Sequence, residues 1–232
     1  MRGKSHKGFF ITGTDTGVGK TFVASGLLQA FKSLGMSACP MKPVETGCKT
    51  KKEKLVPEDT LRLIRASGVD EPLDIINPFR LKHPLAPSVA AELEGITIKK
   101  NRIISAYRSL SKKYDVTLVE GAGGIMVPLY KKYLFLDLIK DLDLPLIIVS
   151  RPGLGTINHT LLTIEIAKKK GIKVLGVIIN HTTIIKKGLA EKTNPQVIEK
   201  LGKVPVPGIV QYSKSKASSN DIFRIIAQKI IL

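Results

Sequence analysis

Short apolar runs rich in β-branched residues recur along the chain and alternate with segments of helical periodicity. Runs that are apolar on both faces are typical of buried parallel strands, and the intervening helices then cover both faces of the sheet. The pattern predicts an α/β fold with a doubly wound, mostly parallel sheet. The predicted strands are 9–12, 116–120, 146–149, 174–179 and 204–206, with another that ends near residue 41. The predicted helices are 20–34, 58–66, 98–113, 135–142, 158–170, 195–201 and 221–232.

The stretch from 71 to 95 fits this alternation less well. It contains four prolines, and we expect a long ordered loop with one short helix at 88–94. Loops of that length in compact domains are usually functional. In doubly wound folds ligands bind at the carboxyl ends of the strands, so the polar and glycine-rich residues there are the candidates for chemistry.

Composition limits the class of protein further. The 232 residues are 43% hydrophobic, enough for a proper core, and no apolar run approaches the roughly 20 residues of a membrane span. Two cysteines are too few for a disulfide framework or a zinc site, and no secretory signal is evident, so we expect a cytoplasmic protein.

The net charge of +18 invites a hypothesis of nucleic-acid or lipid binding. The positive residues are mostly lysines in scattered doublets and triplets, and few aromatic residues are available for stacking on bases. We therefore expect a solvated basic surface, with neither a specific nucleic-acid partner nor a membrane partner.

The first predicted strand runs into a glycine-rich segment, GTDTGVGKT at 13–21, and then into a helix. A phosphate-binding loop needs small residues, so that successive backbone N–H groups can face the anion at a helix N-terminus. It also needs a lysine for the phosphate oxygens and a hydroxyl for Mg²⁺, and here Lys20 and Thr21 follow Gly19. Gly13 stands one position earlier than the usual leading glycine. The segment predicts one P-loop nucleotide-binding domain over 1–232, with a flexible tail at 1–6.

Charged residues close to other strand ends leave alternatives open. Glu120 ends a strand before GAGG, where it would hold Mg²⁺ or simply lie on a surface turn. Asp59 follows Pro57 at a helix start, where a metal ligand and an N-cap are both adequate interpretations. Lys42, in MKPVETG, would place a second cation beside the P-loop lysine or would be an ordinary surface lysine.

Taken together, these motifs resemble the dethiobiotin synthetase family. The resemblance runs in order from about residue 9 to residue 207 and rests on GTDTGVGKT, MKPVETG, Asp59, APSVAAELEG, VEGAGGIMVPL, GLGTINHTLLT, the Asn180 that closes VIIN, and VPVPG. It implies an ATP-dependent cyclo-ligase that converts 7,8-diaminononanoate, CO₂ and ATP to dethiobiotin, ADP and phosphate. In that family one amine captures CO₂ as a carbamate, whose oxygen attacks the γ-phosphate, and the second amine closes the ring on the mixed carbamic-phosphoric anhydride.

The resemblance also implies roles for individual residues and a homodimer, because in the family the turn 153–158 comes from the neighbouring subunit. The implied catalytic residues are Lys20, Lys42 and Thr16, and the implied Mg²⁺ ligands are Thr21, Asp59 and Glu120. The implied nucleotide-binding residues are Gly17, Val18, Gly19, Lys20, Thr21, Phe22, Asp59, Glu120, Gly121, Ala122, Gly123, Asn180, His181, Pro205, Val206 and Pro207. The implied contacts to the second substrate are Thr46, Leu154, Gly155 and Asn158.

The main alternative is a nucleotide switch that resembles ParA and MinD and binds DNA or membrane. The net charge favours it, as does an apolar C-terminal helix that also carries Arg224 and Lys229 and could anchor at an interface. Packing of that helix on the sheet is the simpler interpretation. The loop argues against the switch, because that family has a second lysine where this sequence has Asp15.

Overall fold

A six-stranded parallel sheet lies at the centre of the structure, a computed structural model that describes residues 6–184, 188–212 and 217–231. Its strands, in spatial order, are β12 (Gly208–Val210), β11 (Val174–Asn180), β10 (Leu146–Ser150), β1 (Lys7–Gly13), β7 (Val116–Glu120) and β2 (Ala38–Met41). Every neighbouring pair runs parallel, which confirms the predicted fold class. All six carboxyl ends consequently share one edge of the sheet.

Helices cover both faces of this sheet. They are α1 (Lys20–Ser33), α2 (Glu58–Ser67), α3 (Leu73–Ile76), α4 (Pro87–Leu93), α5 (Lys100–Ser111), α6 (Phe135–Asp141), α7 (Thr156–Lys169), α8 (Leu189–Gly202) and α9 (Ala217–Ile231). Three two-stranded pairs complete the structure: β3 (Val44–Glu45) with β6 (Phe79–Arg80), β4 (Lys49–Lys51) with β5 (Lys54–Val56), and β8 (Pro128–Tyr130) with β9 (Tyr133–Leu134).

Two apolar layers, one on each face, hold the helices to the sheet. Along β1 successive side chains alternate between them: Phe10 packs in the layer under α4–α8, whereas Phe9 and Ile11 pack in the layer under α1, α2 and α9. This alternation follows from the two-residue period of a strand. Strands apolar on both faces therefore sit in the middle of a three-layer structure.

The structure differs from the sequence prediction near the C-terminus. The predicted strand 204–206 is wrong, and the last strand is β12, because Pro205 and Pro207 have no N–H groups to donate to a ladder. The helix predicted at 195–201 begins earlier, at Leu189. There the Glu191 carboxylate accepts a hydrogen bond from the Gly188 N–H at 2.8 Å.

Other boundaries differ as well. The stretch from 71 to 95 is not a loop with one helix, because it contains α3 and β6 before α4. In the predicted tail, residues 1–5 lie outside the described residues. His6, the last residue of that tail, is held, since its Nδ1 lies 2.9 Å from the Tyr114 carbonyl oxygen and its Nε2 lies 3.3 Å from the Tyr107 hydroxyl.

The C-terminal helix α9 packs against α1. Phe223, Ile226 and Ile230 are buried in the apolar layer, and the Phe223 ring meets the Phe22 ring edge-on with centroids 5.7 Å apart. Of the helices in the described residues, none combines the length and the apolar character that crossing a membrane requires. The apolar face of α9 is thus used inside the fold.

Gly26 sets how closely α1 and α9 approach, because a Cβ there would overlap the Phe223 ring. We expect Gly26→Ala to lower the free energy of unfolding by about 1–2 kcal/mol, since overpacking outweighs the gain in helix propensity. Urea unfolding measures this change. Gln29→Ala, at an exposed position of the same helix, is the matched control and should change stability by less than about 0.5 kcal/mol. Equal stability of the two variants would contradict the close approach of the helices.

Candidate active site

A cleft of about 760 Å³ opens at the carboxyl edge of the sheet. Its walls come from the glycine-rich loop, the ends of β2 and β7, the start of α2 and the segment before α4. The predicted site residues that line it are Thr16, Gly17, Gly19, Lys20, Thr21, Phe22, Lys42, Thr46, Asp59, Glu120, Ala122 and Gly123. Another cavity, of about 730 Å³, lies between β5, α3 and α5 and contains none of the predicted residues.

The glycine-rich loop takes a conformation that its glycines make possible. Gly17 and Gly19 have positive φ values of 77° and 87°, in the left-handed region that other residues rarely adopt. The Asn180 amide donates to the Val18 carbonyl at 2.9 Å, and a Cβ on Gly19 would overlap that amide. The loop is therefore fastened to the end of β11, and its backbone turns at the N-terminus of α1 as a phosphate-binding loop requires.

Lys42 lies at the floor of the cleft among the predicted metal ligands. Its ammonium is ion-paired with Glu120 Oε1, and its Nζ lies 3.4 Å from Asp59 Oδ2 and 3.4 Å from the Gly121 carbonyl oxygen. The Thr21 hydroxyl donates to the same Glu120 Oε1 at 2.8 Å. Lys42 is 3% exposed and Glu120 is 0% exposed, so the pair is shielded from water. Lys42 is not a surface lysine, and Glu120 is not on a surface turn.

Burial and neighbouring charges together shift the pKa values of the two cleft lysines in opposite directions. Burial lowers the pKa of Lys42, but the Glu120 and Asp59 carboxylates outweigh burial and hold its pKa above the ordinary lysine value. Burial, followed by repulsion from Lys42, lowers the pKa of Lys20 to about 8. Both lysines line the same cleft, where their charges could act together on one anion.

The donor set at this point suits Mg²⁺, a cation that prefers oxygen ligands. Glu120 Oε2 is buried and receives no hydrogen bond from the residues that the structure describes. No cluster of three or more His, Cys, Asp or Glu side chains arranged for a metal occurs within 6–184, 188–212 and 217–231. This does not conflict with a magnesium site, because Mg²⁺ beside a nucleotide usually takes one or two carboxylates and completes its shell with phosphates and water.

The backbone of Lys42 is fixed by the 71–95 segment. The Lys42 N–H donates to the Ile76 carbonyl at 2.8 Å, and the buried Asn77 amide donates to the Lys42 carbonyl at 2.7 Å. The same Asn77 amide also donates to the Phe79 carbonyl at 3.2 Å. Residues 76 and 77, in the stretch predicted as a loop, thus hold the backbone of Lys42 in place.

Several cleft residues were missing from the sequence-based prediction. They are Glu45, Arg62, Pro84, Leu85, Ala86, Pro87 and Val127. Most are apolar and form one wall, whereas Glu45 and Arg62 lie near the start of α2. The motifs MKPVETG and APSVAAELEG contain three of them, Glu45, Ala86 and Pro87, but a motif does not show which of its side chains face the cleft.

The remaining predicted residues do not line the cleft. Val18 lies within the glycine-rich loop and Gly121 directly follows β7, and the others lie further along the sheet. Asn180 and His181 lie at the carboxyl end of β11, where Asn180 contacts the glycine-rich loop. Pro205, Val206 and Pro207 precede β12 and lie beside Gly176 and Val177, earlier on β11, since the Val177 N–H donates to the Pro205 carbonyl at 2.9 Å. The structure therefore does not bring these three residues to Asn180.

Leu154, Gly155 and Asn158 lie at the turn between β10 and α7, where Leu154 is 87% exposed. This turn sits beside the loop, because Arg151 Nη2 lies 3.8 Å from Asp15 Oδ2 and 3.1 Å from His159 Nδ1.

In known structures the same fold occurs among P-loop ATPases. The MinD septum site-determining protein of Pyrococcus horikoshii, solved with Mg-ADP, is similar with a TM-score of 0.62 over 96% of each chain, at 16% identity. The MinC:MinD complex of Aquifex aeolicus gives a TM-score of 0.62 at 17% identity, with 97% of this chain and 96% of that chain covered. Identities this low support the fold alone. Fold and cleft together define the class: an α/β protein with a nucleotide-binding P-loop.

Sequence similarity narrows the class to one family. A family model described as an AAA domain matches residues 7–219. The ATP-dependent dethiobiotin synthetase BioD of Thermodesulfovibrio yellowstonii is 50% identical over 212 residues, 88% of each chain. The protein of the same name from Methanocaldococcus jannaschii is 44% identical over 226 residues, 96% of this chain and 99% of its own. The chain belongs to the ATP-dependent dethiobiotin synthetase family.

The lowered pKa of Lys20 makes nucleotide affinity depend on pH. Below about pH 8 the ammonium is charged in the free protein, and above it the lysine must take up a proton to bind phosphate. We expect ADP affinity, measured by calorimetry, to fall by up to about tenfold per pH unit above pH 8. Lys20→Arg keeps its charge and should give a flat profile over the same range. A flat wild-type profile up to pH 9.5 would contradict the lowered pKa.

Proposed function

We propose that this protein forms the ureido ring of dethiobiotin from 7,8-diaminononanoate, CO₂ and ATP. The observation that carries the proposal is the convergence of Lys20 and Lys42 at one cleft floor, beside the Thr21 hydroxyl and the Glu120 carboxylate. Two cations fit a reaction in which a carbamate and a γ-phosphate, both anionic, must meet. The names of the curated relatives support the same reaction.

The proposed chemistry proceeds in three balanced steps. One substrate amine attacks CO₂ and loses a proton, which gives a carbamate. A carbamate oxygen then attacks the γ-phosphorus of ATP, ADP departs, and a carbamic-phosphoric anhydride remains. The second amine attacks the carbonyl carbon of the anhydride and loses its proton as phosphate leaves, which closes the ring. Lys42 would offset the negative charge that accumulates as carbamate and phosphoryl group approach, and Lys20 would hold the phosphate oxygens.

Other cleft residues would support these steps. Thr16 and Thr46 line the cleft and offer hydroxyls to the carbamate and the phosphoryl group. The wall formed by Pro84, Leu85 and Val127 gives the alkyl chain of the substrate an apolar surface. This division into a charged floor and an apolar wall matches a substrate with two amines at one end of a hydrocarbon chain.

We place Mg²⁺ at Thr21, Asp59 and Glu120. When bound, the ion would neutralise phosphate charge and assist the departure of ADP. Glu120 Oε2, which receives no hydrogen bond from the described residues, would be the carboxylate oxygen open to the ion, while Oε1 is paired with Lys42.

We assign the adenine to the end of β11. The Asn180 amide donates to the glycine-rich loop, while its buried Oδ1 has no donor among the described residues. An amide oxygen in that state can accept from the adenine amino group. His181 follows Asn180 in sequence and would border the base, whereas Pro205, Val206 and Pro207 lie beside Gly176 and Val177, away from this end of the strand. Gly17, Val18, Gly121, Ala122 and Gly123 would offer backbone to the phosphates.

We further propose that the enzyme is a homodimer in which the turn 153–158 completes the partner's site. That turn carries Leu154 and Asn158 but does not line the cleft of its own chain. Leu154 is 87% exposed, and Leu162, one turn after Asn158 on α7, is 61% exposed. Large apolar side chains at such exposure favour an interface between protein chains. We place the dimer in the cytoplasm, where ATP is available, and treat the whole chain as one nucleotide-binding domain.

Phosphate release provides the direct test of the reaction. We expect release from ATP to require both 7,8-diaminononanoate and bicarbonate, with dethiobiotin detected by mass spectrometry in equal amount. Lys42→Met keeps the length of the side chain but removes its charge, and should lower the rate at least about 100-fold, because the proposed role is in the transition state. Steady phosphate release with either co-substrate omitted would contradict the proposal.

Mixed dimers test whether the turn acts on the partner's site. Lys42→Met and Asn158→Ala chains, each with a different affinity tag, are co-expressed, and the heterodimer is purified through both tags. If the turn acts across the interface, one of the two sites is intact, and the heterodimer should have about half of the wild-type activity. If it acts within its own chain, both sites carry a defect and activity stays at the level of the parent homodimers.

A further inference from the structure

Helix α2 begins without a capping side chain of its own. Its N-cap residue is Pro57, which makes no side-chain hydrogen bond to the first turn. The first N–H groups of a helix have no partner within the helix, and a Ser, Thr, Asp or Asn at the N-cap usually accepts from the second or third of them. In α2 these two donors belong to Asp59 and Thr60.

Glu45, far away in sequence, takes the place of the missing cap. Its Oε1 accepts from the Asp59 N–H at 2.9 Å, and its Oε2 accepts from the Thr60 N–H at 2.9 Å and from the Thr60 hydroxyl at 2.6 Å. The carboxylate is buried and lies at the positive end of the helix dipole. Three donors from two consecutive residues therefore converge on one side chain.

The backbone that carries Glu45 is itself held in place. β3 pairs with β6 so that Glu45 lies opposite Arg80, and the Leu81 N–H donates to the Glu45 carbonyl at 2.8 Å. The carboxylate thus extends from a fixed strand to the first turn of α2. The side chain of Asp59, whose N–H it holds, reaches to 3.4 Å from Lys42 Nζ.

We propose that Glu45 is a positioning residue that places the Asp59 carboxylate for Mg²⁺ by capping α2 from β3. The proposal rests on the metal site given above under Proposed function. Both carboxylate oxygens of Glu45 are occupied by Asp59 and Thr60, so Glu45 would act through the turn from which Asp59 projects. Partners one step removed from a metal typically change metal affinity or activity by about 10–100-fold when they are removed.

The test measures the affinity of the enzyme–ADP complex for Mn²⁺, a paramagnetic substitute for Mg²⁺. Electron paramagnetic resonance detects the bound ion. We expect Glu45→Ala to weaken Mn²⁺ binding about tenfold or more. Glu45→Gln keeps one acceptor oxygen and should fall between Glu45→Ala and wild type. In steady-state assays the loss should appear in kcat and in the Mg²⁺ requirement, with the KM for diaminononanoate within about twofold of wild type.

Asp115→Ala is the matched control. Asp115 Oδ2 accepts from the N–H of Ser37 at 2.9 Å and from its hydroxyl at 2.8 Å. Glu45 Oε2 accepts from Thr60 in the same way, but Asp115 lies at the amino ends of the strands, away from the cleft. We expect Asp115→Ala and Glu45→Ala each to lower Tm by about 2–4 °C. Only the Glu45 variants should weaken Mn²⁺ binding.

Asp59→Asn separates the two ways in which the idea could fail. If Asp59→Asn weakens Mn²⁺ binding but Glu45→Ala and Glu45→Gln do not, the positioning role is wrong and the metal site stands. If Asp59→Asn itself binds Mn²⁺ like wild type, the metal site is wrong and the positioning role falls with it. If Glu45→Ala does not fold, Glu45→Gln alone decides, with wild-type affinity as the overturning result.

Discussion

The buried ion pair between Lys42 and Glu120 is the interaction on which the site depends. It arises from strand register: β2 and β7 are neighbours with Met41 opposite Val119, so the next residue of each strand reaches the same point at the sheet edge. Two buried charges are costly to desolvate, and loss of one partner from such a pair typically costs about 3–5 kcal/mol. The Thr21 hydroxyl and the Gly121 carbonyl supply the further hydrogen bonds that such a pair needs.

The chain has 37 basic residues, and we propose a chemical role for only two of them, Lys20 and Lys42. The buried surroundings of these two lysines explain the difference. Most of the chain's lysines are solvated, and their field is screened within about 10 Å at ordinary salt. Lys20 and Lys42 differ because they are buried beside other charged groups, and these surroundings shift their pKa values. Position in the fold, and not the net charge of the chain, distinguishes the two lysines.

Much of this architecture was predictable, because it follows from local pattern. The apolar runs predicted four of the six sheet strands, β1, β7, β10 and β11, and the end of β2 was predicted near residue 41. The glycine-rich loop with Lys20 and Thr21 was evident from spacing. The rule that ligands bind at the carboxyl ends of strands made Lys42 and Glu120 candidates for the site, but it did not predict their ion pair. The predicted strand at 204–206 failed, because the apolar pattern took no account of the N–H groups that Pro205 and Pro207 lack.

What the sequence could not show depends on contacts between distant segments. Nothing local links Glu45 to a helix that begins 13 residues later, and Pro57 even suggests a helix start with no cap at all. Asn77 was hidden in a proline-rich stretch whose α3 and β6 are too short to have a period. The side chains that support the proposed catalytic groups are therefore harder to identify from a single sequence than the groups themselves.

The hydrogen bonds of Lys42 with Ile76 and Asn77 connect two parts of the cleft through one segment of the chain. The segment that holds the lysine backbone continues through β6 to Pro84 and Leu85, which form the apolar wall. The apolar wall and the anchor of the lysine backbone therefore belong to one continuous segment. A substitution within this segment would bear on the floor and the apolar wall of the cleft at once.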